Sequence, residues 1–474
     1  MAERNYARSL DYEMDYIIIQ PGTGRGAKEA PIVIHDQKKG IHRWLGCSII
    51  EDLFRNFTTC DITIHDVDGF YLNRLRCEEM VQIQFKTPDF PDKKFKKRLH
   101  NFYIYKIDPI VIMERPASAT YVLRCISYEY LFNALQTFSS SYTNHTEKIA
   151  ADIYQKYLVQ KSGSAAKIAK KFKAGRPTKH KMKFTFPYMN PVDAINHLAS
   201  VSIDAKNPSI CNYVFYENTD GFNFKSITEM IEKPRKIHKY ITTNVVIGSF
   251  MDYRAHFDKT ISALTKRTGD KIIDTLDGVY GEEFMDFDIL YKTATVFFGQ
   301  SADKSDASRK TTKLIRGKRY EDEFKKTKHL NEFPLLSSDV DLFDHPLGRN
   351  RICFSNKALY SEKIQLKDGS EEWELYETHE EEYSFQRRSM MQQINTFTME
   401  LTVSGNSDIT VGDIIEYDGI IYKTEDKDKF LSGRYLVAAV NHYINGEGYR
   451  CIITVSRDSI TSDGSEKDAK AAVK

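Results

Sequence analysis

The stretch that decides the fold runs from Phe397 to Ile460 and begins FTMELTVSGNSDITVGDIIEYDG. Apolar and polar residues alternate from Thr398 to Val403, so one face of this segment is apolar, as in a half-buried strand. Tyr435 to Ile444 is apolar on nearly both faces, and Asn445-Gly446-Glu447-Gly448 then turns the chain into another alternating run. These two antiparallel hairpins predict a small sheet or half of a barrel.

The composition sets limits on the class of protein. With 474 residues the chain is long enough for two to four domains. Its net charge of +2 is too small to point to a polyanionic partner. An aromatic content of 12% and a mean hydropathy of −0.49 fit a soluble protein with sheet-rich cores, or one with much surface bound to partners. The seven cysteines are scattered and include no Cys-x-x-Cys pair, which indicates reduced, buried thiols.

The sequence contains no signal for a membrane or for secretion. No run of eighteen apolar residues is present, so no membrane span is predicted. The first sixteen residues, MAERNYARSLDYEMDY, lack the apolar core of a signal peptide. We therefore expect the protein to fold in the cytoplasm.

The first third of the chain predicts a flexible arm followed by strands. Residues 1–40 include a Gly-rich segment, Pro21 to Gly26, without the Lys-Ser/Thr ending of a phosphate loop. Ile49, Leu53 and Phe57 lie four residues apart, which predicts a short amphipathic helix. The alternating runs then predict strands at Cys60 to Asp66, Val81 to Phe85, Phe102 to Ile112 and Thr120 to Ile126, followed by a helix from Tyr128 to Phe138.

The middle of the chain predicts a small α/β unit and a charged region. A helix is predicted at His145 to Leu158, and a second begins at the cap Asn190 with Pro191 in its first turn. Between them lies a basic stretch, Lys161 to Lys183, and a hairpin follows around Asn218 to Gly221. Residues 300–393 are highly charged and predict an insertion or docking domain, and residues 461–474 predict a disordered tail.

The order and spacing of several stretches resemble those of a known protein family. They are Ser48–Pro88, Asn190–Ser202, Tyr213–Ile227, Ile272–Thr293, Val411-Gly412-Asp413, Ser432–Val437 with Val440 and His442, and Val455–Ser459. From about residue 41 to residue 460 the chain resembles the baseplate hub proteins of contractile-tailed bacteriophages.

That resemblance implies an α+β, mainly β fold: two small antiparallel, tube-like β-barrel domains with an inserted α/β domain and a charged insertion domain. The implied division is an N-terminal arm at 1–40, a first barrel at 41–138, an α/β domain at 139–236, a second barrel at 237–300 and 394–460, a charged insertion at 301–393 and a tail at 461–474.

The resemblance also implies a structural role in the baseplate of the virion tail, after assembly in the host cytoplasm. Within the family, three copies form a pseudo-six-fold ring that joins the six-fold tail tube to the three-fold spike. The implied partners are the chain itself, the central spike, the tail-tube or tube-initiator protein, baseplate wedge proteins and the tape-measure protein. DNA passes only transiently through the channel. No catalytic activity, metal or cofactor is implied.

The residues expected to matter are therefore structural. Gly412, Gly433 and Gly446 are expected at turns, and Asp413, Tyr435 and Asp458 lie in the matching motifs. The basic stretch is either a solvated loop or a docking patch for phosphates or for an acidic partner. Its candidate docking residues are Lys170, Lys171, Lys173, Arg176 and Lys179.

Two alternatives remain open. A peptidoglycan-degrading tail-tip enzyme would use a carboxylate pair, for which Glu78-Glu79 and Glu380-Glu381-Glu382 are the candidates. The histidines form no metal motif, and no Gly-x-Ser-x-Gly element is present. The second alternative is the hub of a related contractile injection or secretion machine. Such a hub differs from a phage hub in its host system more than in its physical design.

Overall fold

The computed structural model of the chain describes residues 10–21, 30–67, 69, 71–77, 79–90, 93–113, 118–159, 170–242, 257–276, 282–288, 293–298, 325–334, 349–355, 362–365, 371–374, 380–419 and 430–461. Over these residues the protein consists mainly of antiparallel β-sheet with a few short helices, which confirms the predicted mainly β, α+β class.

The secondary-structure elements are numbered along the chain. The strands are β1 Glu13–Gln20, β2 Ile32–Asp36, β3 Ile41–His42, β4 Trp44–Asp52, β5 Thr59–Val67, β6 Met80–Lys86, β7 Arg98–Met113, β8 Ser118–Ser127, β9 Phe138–His145, β10 Phe172–Ala174, β11 Lys181–Met189, β12 Tyr213–Asn218, β13 Gly221–Ser226, β14 Ile237–Thr242, β15 Thr260–Thr268, β16 Glu282–Asp288, β17 Thr293–Phe298, β18 Phe333–Pro334, β19 Arg349–Ser355, β20 Glu362–Gln365, β21 Glu371–Glu374, β22 Phe397–Ser404, β23 Ile414–Gly419, β24 Gly433–Asn445, β25 Gly448–Arg457 and β26 Ser459–Ile460. The helices are α1 Glu129–Leu135, α2 Thr146–Ile153, α3 Pro191–Ser200, α4 Ile227–Glu232, α5 Lys271–Leu276 and α6 Glu380–Ile394, with a 3-10 turn at Leu72–Arg74 and a π-helical turn at Tyr154–Val159.

One large sheet dominates the molecule. Its strands follow the order β15-β22-β25-β24-β4-β5-β8-β7-β6-β1-β2-β3, and β23 pairs with β24 and with β14 beside this path. The segments predicted to form two separate barrels thus share one sheet, which β24 and β4 join. Among the described strands this path does not close on itself, so closure of a barrel is not seen in that part of the chain.

A single hydrophobic core covers the inner face of this sheet. The alternation seen in the sequence places Ile62 and Ile64 of β5, and Ile453 and Val455 of β25, on that face, where all four are fully buried. Their contacts belong to one cluster that extends across both halves of the sheet. The core therefore stabilises the two halves together.

The helix predicted at Ile49, Leu53 and Phe57 is wrong, because Trp44–Asp52 forms β4. A spacing of four residues is also a multiple of two, so it fits one face of a strand as well as one face of a helix. Ile49 and Leu53 belong to the main core, whereas Phe57 packs against a second core.

The stretch predicted as a flexible N-terminal arm contributes two strands to the sheet. β1 pairs with β6 from Glu13–Lys86 to Gln20–Met80, and β2 pairs with β1 on its other side. These ladders correct the expectation of flexibility for the two strands. The Gly-rich segment lies almost entirely outside the described residues.

The second hydrophobic core lies in residues 138–232, called the α/β unit below. Here β9 pairs with β11, and β13 pairs with β10 and β12. The predicted helices are present as α2 and α3, and the predicted hairpin is present as β12 and β13. Asn190 has the extended backbone of a cap, but its side chain donates to the carbonyl oxygen of Asn133 at 3.3 Å.

Most of the charged insertion predicted at 301–393 lies outside the described residues, as does the predicted tail from residue 462 onward. Its last part forms α6, which packs against the α/β unit. Arg387 of α6 donates to the carbonyl oxygens of Ala199 at 2.9 Å and Tyr213 at 2.7 Å. No helix of the described part is long and apolar enough to span a membrane.

Candidate functional site

The loop between β22 and β23, residues 405–413, is completely buried and is called the junction loop below. It contains the Val411-Gly412-Asp413 motif. Gly405 allows close packing, because a Cβ atom there would lie 2.1 Å from the ring of Tyr449. Gly412 has a φ of +84°, in the left-handed region that favours glycine. The loop can follow this path only without a side chain at Gly405 and with the backbone freedom of glycine at Gly412.

A buried ion pair holds the junction loop to the first half of the sheet. Arg98 of β7 lies 2.8 Å from the carboxylate of Glu51 of β4, and both side chains are fully buried. Arg98 also donates to the carbonyl oxygens of Ser407, at 2.6 Å, and of Ile409. Thr410 donates its hydroxyl to the other oxygen of Glu51. Buried charges need such complete pairing, because an unpaired one costs several kcal/mol.

Asp413 holds the other end of the junction loop. Its carboxylate is fully buried and accepts two hydrogen bonds from Arg235, at 2.8 Å and 2.6 Å, in a bidentate arrangement. The ring of His238 lies 3.1 Å away on β14. Burial lowers the pKa of His238, although the contact with Asp413 opposes this shift. Arg235 follows α4, so this cluster joins the loop to the end of the α/β unit.

Asp408 makes a third connection within the loop. Its carboxylate pairs with Lys236 and accepts the backbone N–H of Lys96 at 3.2 Å. Burial alone would raise the pKa of Asp408, but these two donors outweigh it and lower the pKa. The junction loop is thus bound by charge to β4, to the start of β7, and to the segment after α4.

A separate cluster joins the sheet to the α/β unit. Glu217 of β12 is buried and accepts hydrogen bonds from the backbone N–H of Thr58 at 2.8 Å and the hydroxyl of Ser127 at 2.6 Å. Lys170 forms an ion pair with the same carboxylate. Burial raises the pKa of Glu217, and Lys170 partly opposes the shift. This cluster joins β12 of the α/β unit to Thr58 and to Ser127 of β8.

The structure places the five predicted docking cations on or beside the α/β unit, and four of them contact acids of this chain. Lys173 lies 3.5 Å from Asp220, and Lys179 lies 2.6 Å from Glu382. Arg176 pairs with Glu232 and lies 3.7 Å from Asp204, and Lys170 pairs with Glu217. Lys171 is exposed. Docking by these residues remains a prediction.

Comparison with known proteins finds similarity only among solved structures; no protein-family model and no curated protein matches the chain. The tail protein from Neisseria meningitidis MC58 has 10% identity and a TM-score of 0.47, with 94% of this chain and 97% of that chain covered. The 43 kDa tail protein of prophage MuSo2 from Shewanella oneidensis has 10% identity and a TM-score of 0.47, with 94% of this chain and 99% of that chain covered. A type VI secretion system component of E. coli has 8% identity and a TM-score of 0.40, with 89% of this chain and 74% of that chain covered. Two of these structures are tail proteins and one is a secretion-system component.

The remaining motif residues lie around β24 and β25. Gly433 begins β24 with a φ of +141°, and Gly446 lies in the two-residue turn between β24 and β25. The buried Tyr435 donates its hydroxyl to the carbonyl oxygen of Leu431 at 2.5 Å. Asp458 accepts hydrogen bonds from the ring of His329 and the hydroxyl of Ser459, both at 2.7 Å. All four therefore shape the second half of the sheet.

The candidate carboxylates of the enzyme alternative are held in structural contacts where they are described. Glu79 is 1% exposed and accepts the backbone N–H of Arg76 at 2.9 Å. Glu382 pairs with Lys179 and His180. Glu78 lies outside the described residues. Within those residues, no group of three or more His, Cys, Asp or Glu side chains could hold a metal ion.

The sequence analysis missed the charges that organise the junction. Glu51 and Arg98 occupy inward positions of their strands, on the faces that also carry the buried Ile49 and Phe102. A charge at an inward position must find a partner, so this break in the alternation is a usable signal. Arg235 and His238 do not interrupt a long apolar alternation in this way. Their partner, Asp413, lies more than 170 residues away in the sequence, so no local pattern points to the pair.

Proposed function

We propose that this chain is a structural hub of a contractile-tail baseplate. Three copies form a pseudo-six-fold ring that joins the six-fold tail tube to the three-fold spike. The ring leaves a channel for the tape-measure protein and DNA, and its outer surface binds wedge proteins. Its role is mechanical and is not catalytic.

The observation that carries this proposal is the seam between β24 and β4. Seven residue pairs, from Ala439–Asp52 to Asn445–Gly46, join the two strands, and the Ser48 hydroxyl donates to Asn441 across them at 2.8 Å. On one side of the seam lie β24, β25, β22 and β15, and on the other lie β4, β5, β8 and β7. One chain thus contains two four-stranded segments joined edge to edge.

The two outer ends of this eight-stranded stretch are suited to the same kind of join. Beyond Ile104, β7 pairs only with β8 in the part of the chain described. It exposes Ile110 and Val111 by 47% and 51%, and Pro109, which has no N–H to donate, fits an edge strand. At the opposite end, β15 pairs with β22 and exposes Leu264 by 59%.

Pairing β7 of one copy with β15 of the next would repeat the internal seam between chains. Such a head-to-tail interface closes into a ring when the rotation per copy divides a full turn. Three copies then contribute six four-stranded segments, which matches a six-fold tube. Closure also removes the exposed edges, which otherwise promote aggregation.

The solution mass tests the ring. Light scattering behind a sizing column, at low and high salt, is expected to give three protomers of 54.9 kDa each. Leu264→Lys should reduce this mass to one protomer, whereas Leu135→Lys, at an exposed leucine of α1 that belongs to neither edge strand, should leave it unchanged. A strict monomer, even with candidate tail proteins present, contradicts the proposal.

The hub of a related injection or secretion machine would form the same ring. The spike protein that co-purifies with the chain would identify which machine it belongs to.

A further inference from the structure

A small cavity of about 200 Å³ lies between the α/β unit and the junction loop. Tyr216 of β12 and Lys225 of β13 line it on one side, Lys233 lies at the end of α4, and Gly412 closes it from the junction loop. The cavity brings together the Gly412 motif and Lys173, two features that the sequence singles out separately.

The lining of the cavity carries an excess of positive charge. Four cations line it, and two carboxylates, Asp220 and Glu229, lie among them. Asp220 is 3.5 Å from Lys173, and Glu229 accepts the backbone N–H of Arg176 at 3.1 Å. Among the described residues, neither Lys225 nor Lys233 forms an ion pair. Two ammonium groups are therefore available to an anion.

The fourth cation, Arg235, is already committed to the carboxylate of Asp413, at 2.6 Å. Its positive charge still acts on an anion in the cavity, but its N–H groups that bind Asp413 cannot donate to that anion. A small anion in the cavity would thus lie between two lysines that form no ion pair in the described structure and an ion pair that fixes the wall behind it.

A buried hydroxyl adds a neutral donor. Tyr216 is 3% exposed, and its hydroxyl lies 3.1 Å from the position that a Cβ atom on Gly412 would take. Burial raises the pKa of Tyr216, so the hydroxyl keeps its proton and can donate it in a hydrogen bond. No residue of the described part accepts that hydrogen bond. The missing side chain at Gly412 leaves the space open in front of it.

We propose that this cavity binds a compact oxyanion, either a phosphate group or a carboxylate, between the ammonium groups of Lys225 and Lys233 and the hydroxyl of Tyr216. Charge-assisted hydrogen bonds from lysine and a neutral hydroxyl are a common combination for oxyanions. The site is distinct from the edges that form the ring and does not depend on them.

Calorimetric titration tests the site on the full chain. Inorganic phosphate is one probe and tetra-aspartate is the other, each against sodium chloride of equal ionic strength, so that the two arms distinguish a free anion from a carboxylate on a partner. Saturable binding of either probe is expected. The double variant Lys225→Gln/Lys233→Gln should weaken it at least tenfold, and Tyr216→Phe should weaken it several-fold without changing the charge.

Lys148→Gln is the matched control, because Lys148 is an exposed lysine of the same α/β unit outside the cavity. It should leave the affinity unchanged. Thermal unfolding without ligand verifies that each variant folds. The proposal is overturned if neither probe binds saturably, or if the double variant binds as tightly as the Lys148→Gln control.

Discussion

The guanidinium of Arg98 lies 2.8 Å from the carboxylate of Glu51, and neither side chain has any exposed surface. The two residues come from β7 and β4, and the carbonyl oxygen of Ser407 completes the pairing from the junction loop. A single buried pair thus connects two strands near the N-terminus to a loop that lies more than 300 residues later in the chain.

Removing one partner of this pair should be costly. Glu51→Gln leaves the charge of Arg98 buried without its counter-ion, so we expect the free energy of unfolding to fall by about 3–5 kcal/mol in urea denaturation. Arg434→Gln is the control, because Arg434 and Glu416 form an exposed pair at 2.8 Å whose loss should cost less than about 1 kcal/mol. Similar losses in both variants would contradict this account.

Replacement by alanine should destabilise the protein at one glycine of the second half of the sheet and have almost no effect at another. At Gly405 a Cβ atom would lie 2.1 Å from the ring of Tyr449, so Gly405→Ala must displace the junction loop. At Gly446 nothing lies within 4 Å of that position. We expect Gly405→Ala to lower the melting temperature by several degrees, since about 1–3 kcal/mol of overpacking is typical. Gly446→Ala should change it by less than a degree, and a large loss at Gly446 would refute the assignment.

The buried His100 should make stability depend on pH. It stacks on Phe102, and burial, with Arg98 nearby, holds its pKa well below the ordinary 6.5. The unfolded chain takes up a proton as the pH falls below 6.5 while the folded chain does not, so stability present above 6.5 is lost below it. We expect His100→Leu to reduce the loss of stability between pH 6.5 and pH 5, by at most about 1.4 kcal/mol per pH unit, which is the limit for one proton.

Phe102→Leu is the control for that measurement. It removes contacts from the same stack but no titrating group, so the loss of stability it causes should be the same at pH 6.5 and pH 5. If His100→Leu leaves the slope of stability against pH unchanged, His100 is not the group that titrates.

Asp408 should contribute at lower pH. Burial raises its pKa, but Lys236 and the N–H of Lys96 outweigh this effect and hold the pKa below the ordinary 3.8. Stability from this carboxylate is therefore present above pH 3.8 and is lost as the pH falls below that value through the folded-state pKa. We expect Lys236→Met to lower the melting temperature by more at pH 7 than at pH 3, because the pair begins to lose its charge only below pH 3.8. An equal loss at both pH values would disprove the role of this pair.

Local signals in the sequence predicted the parts of the fold that depend on local chemistry. The turn at Gly446 and the α3 start at Pro191 follow from residues that favour a turn or a first helical turn, wherever they occur. The alternation of β5 and β25 likewise identified their buried faces. These features need no knowledge of distant residues.

Contacts between distant residues were out of reach. The pairing of Ser48 with Asn441 joins strands separated by 393 positions, and no local pattern specifies that seam. The basic stretch appeared free because its acidic partners, such as Glu217 and Glu382, lie far along the chain. Glu51 was missed for a different reason: its inward position was mistaken for part of a helix.

The central claim is that β7 of one copy pairs with β15 of the next in a closed ring of three. Ile110 and Leu264 lie on the first and last of eight strands, seven spacings of ~4.8 Å or about 34 Å along the sheet, so we expect a short link between these two positions to join two copies. In the double variant Ile110→Cys/Leu264→Cys, treated with a short bis-maleimide, we predict covalent dimers and trimers and nothing larger on a denaturing gel. The single variants should give neither trimers nor longer products. A ladder that continues beyond the trimer, or a chain that remains monomeric, would contradict the ring.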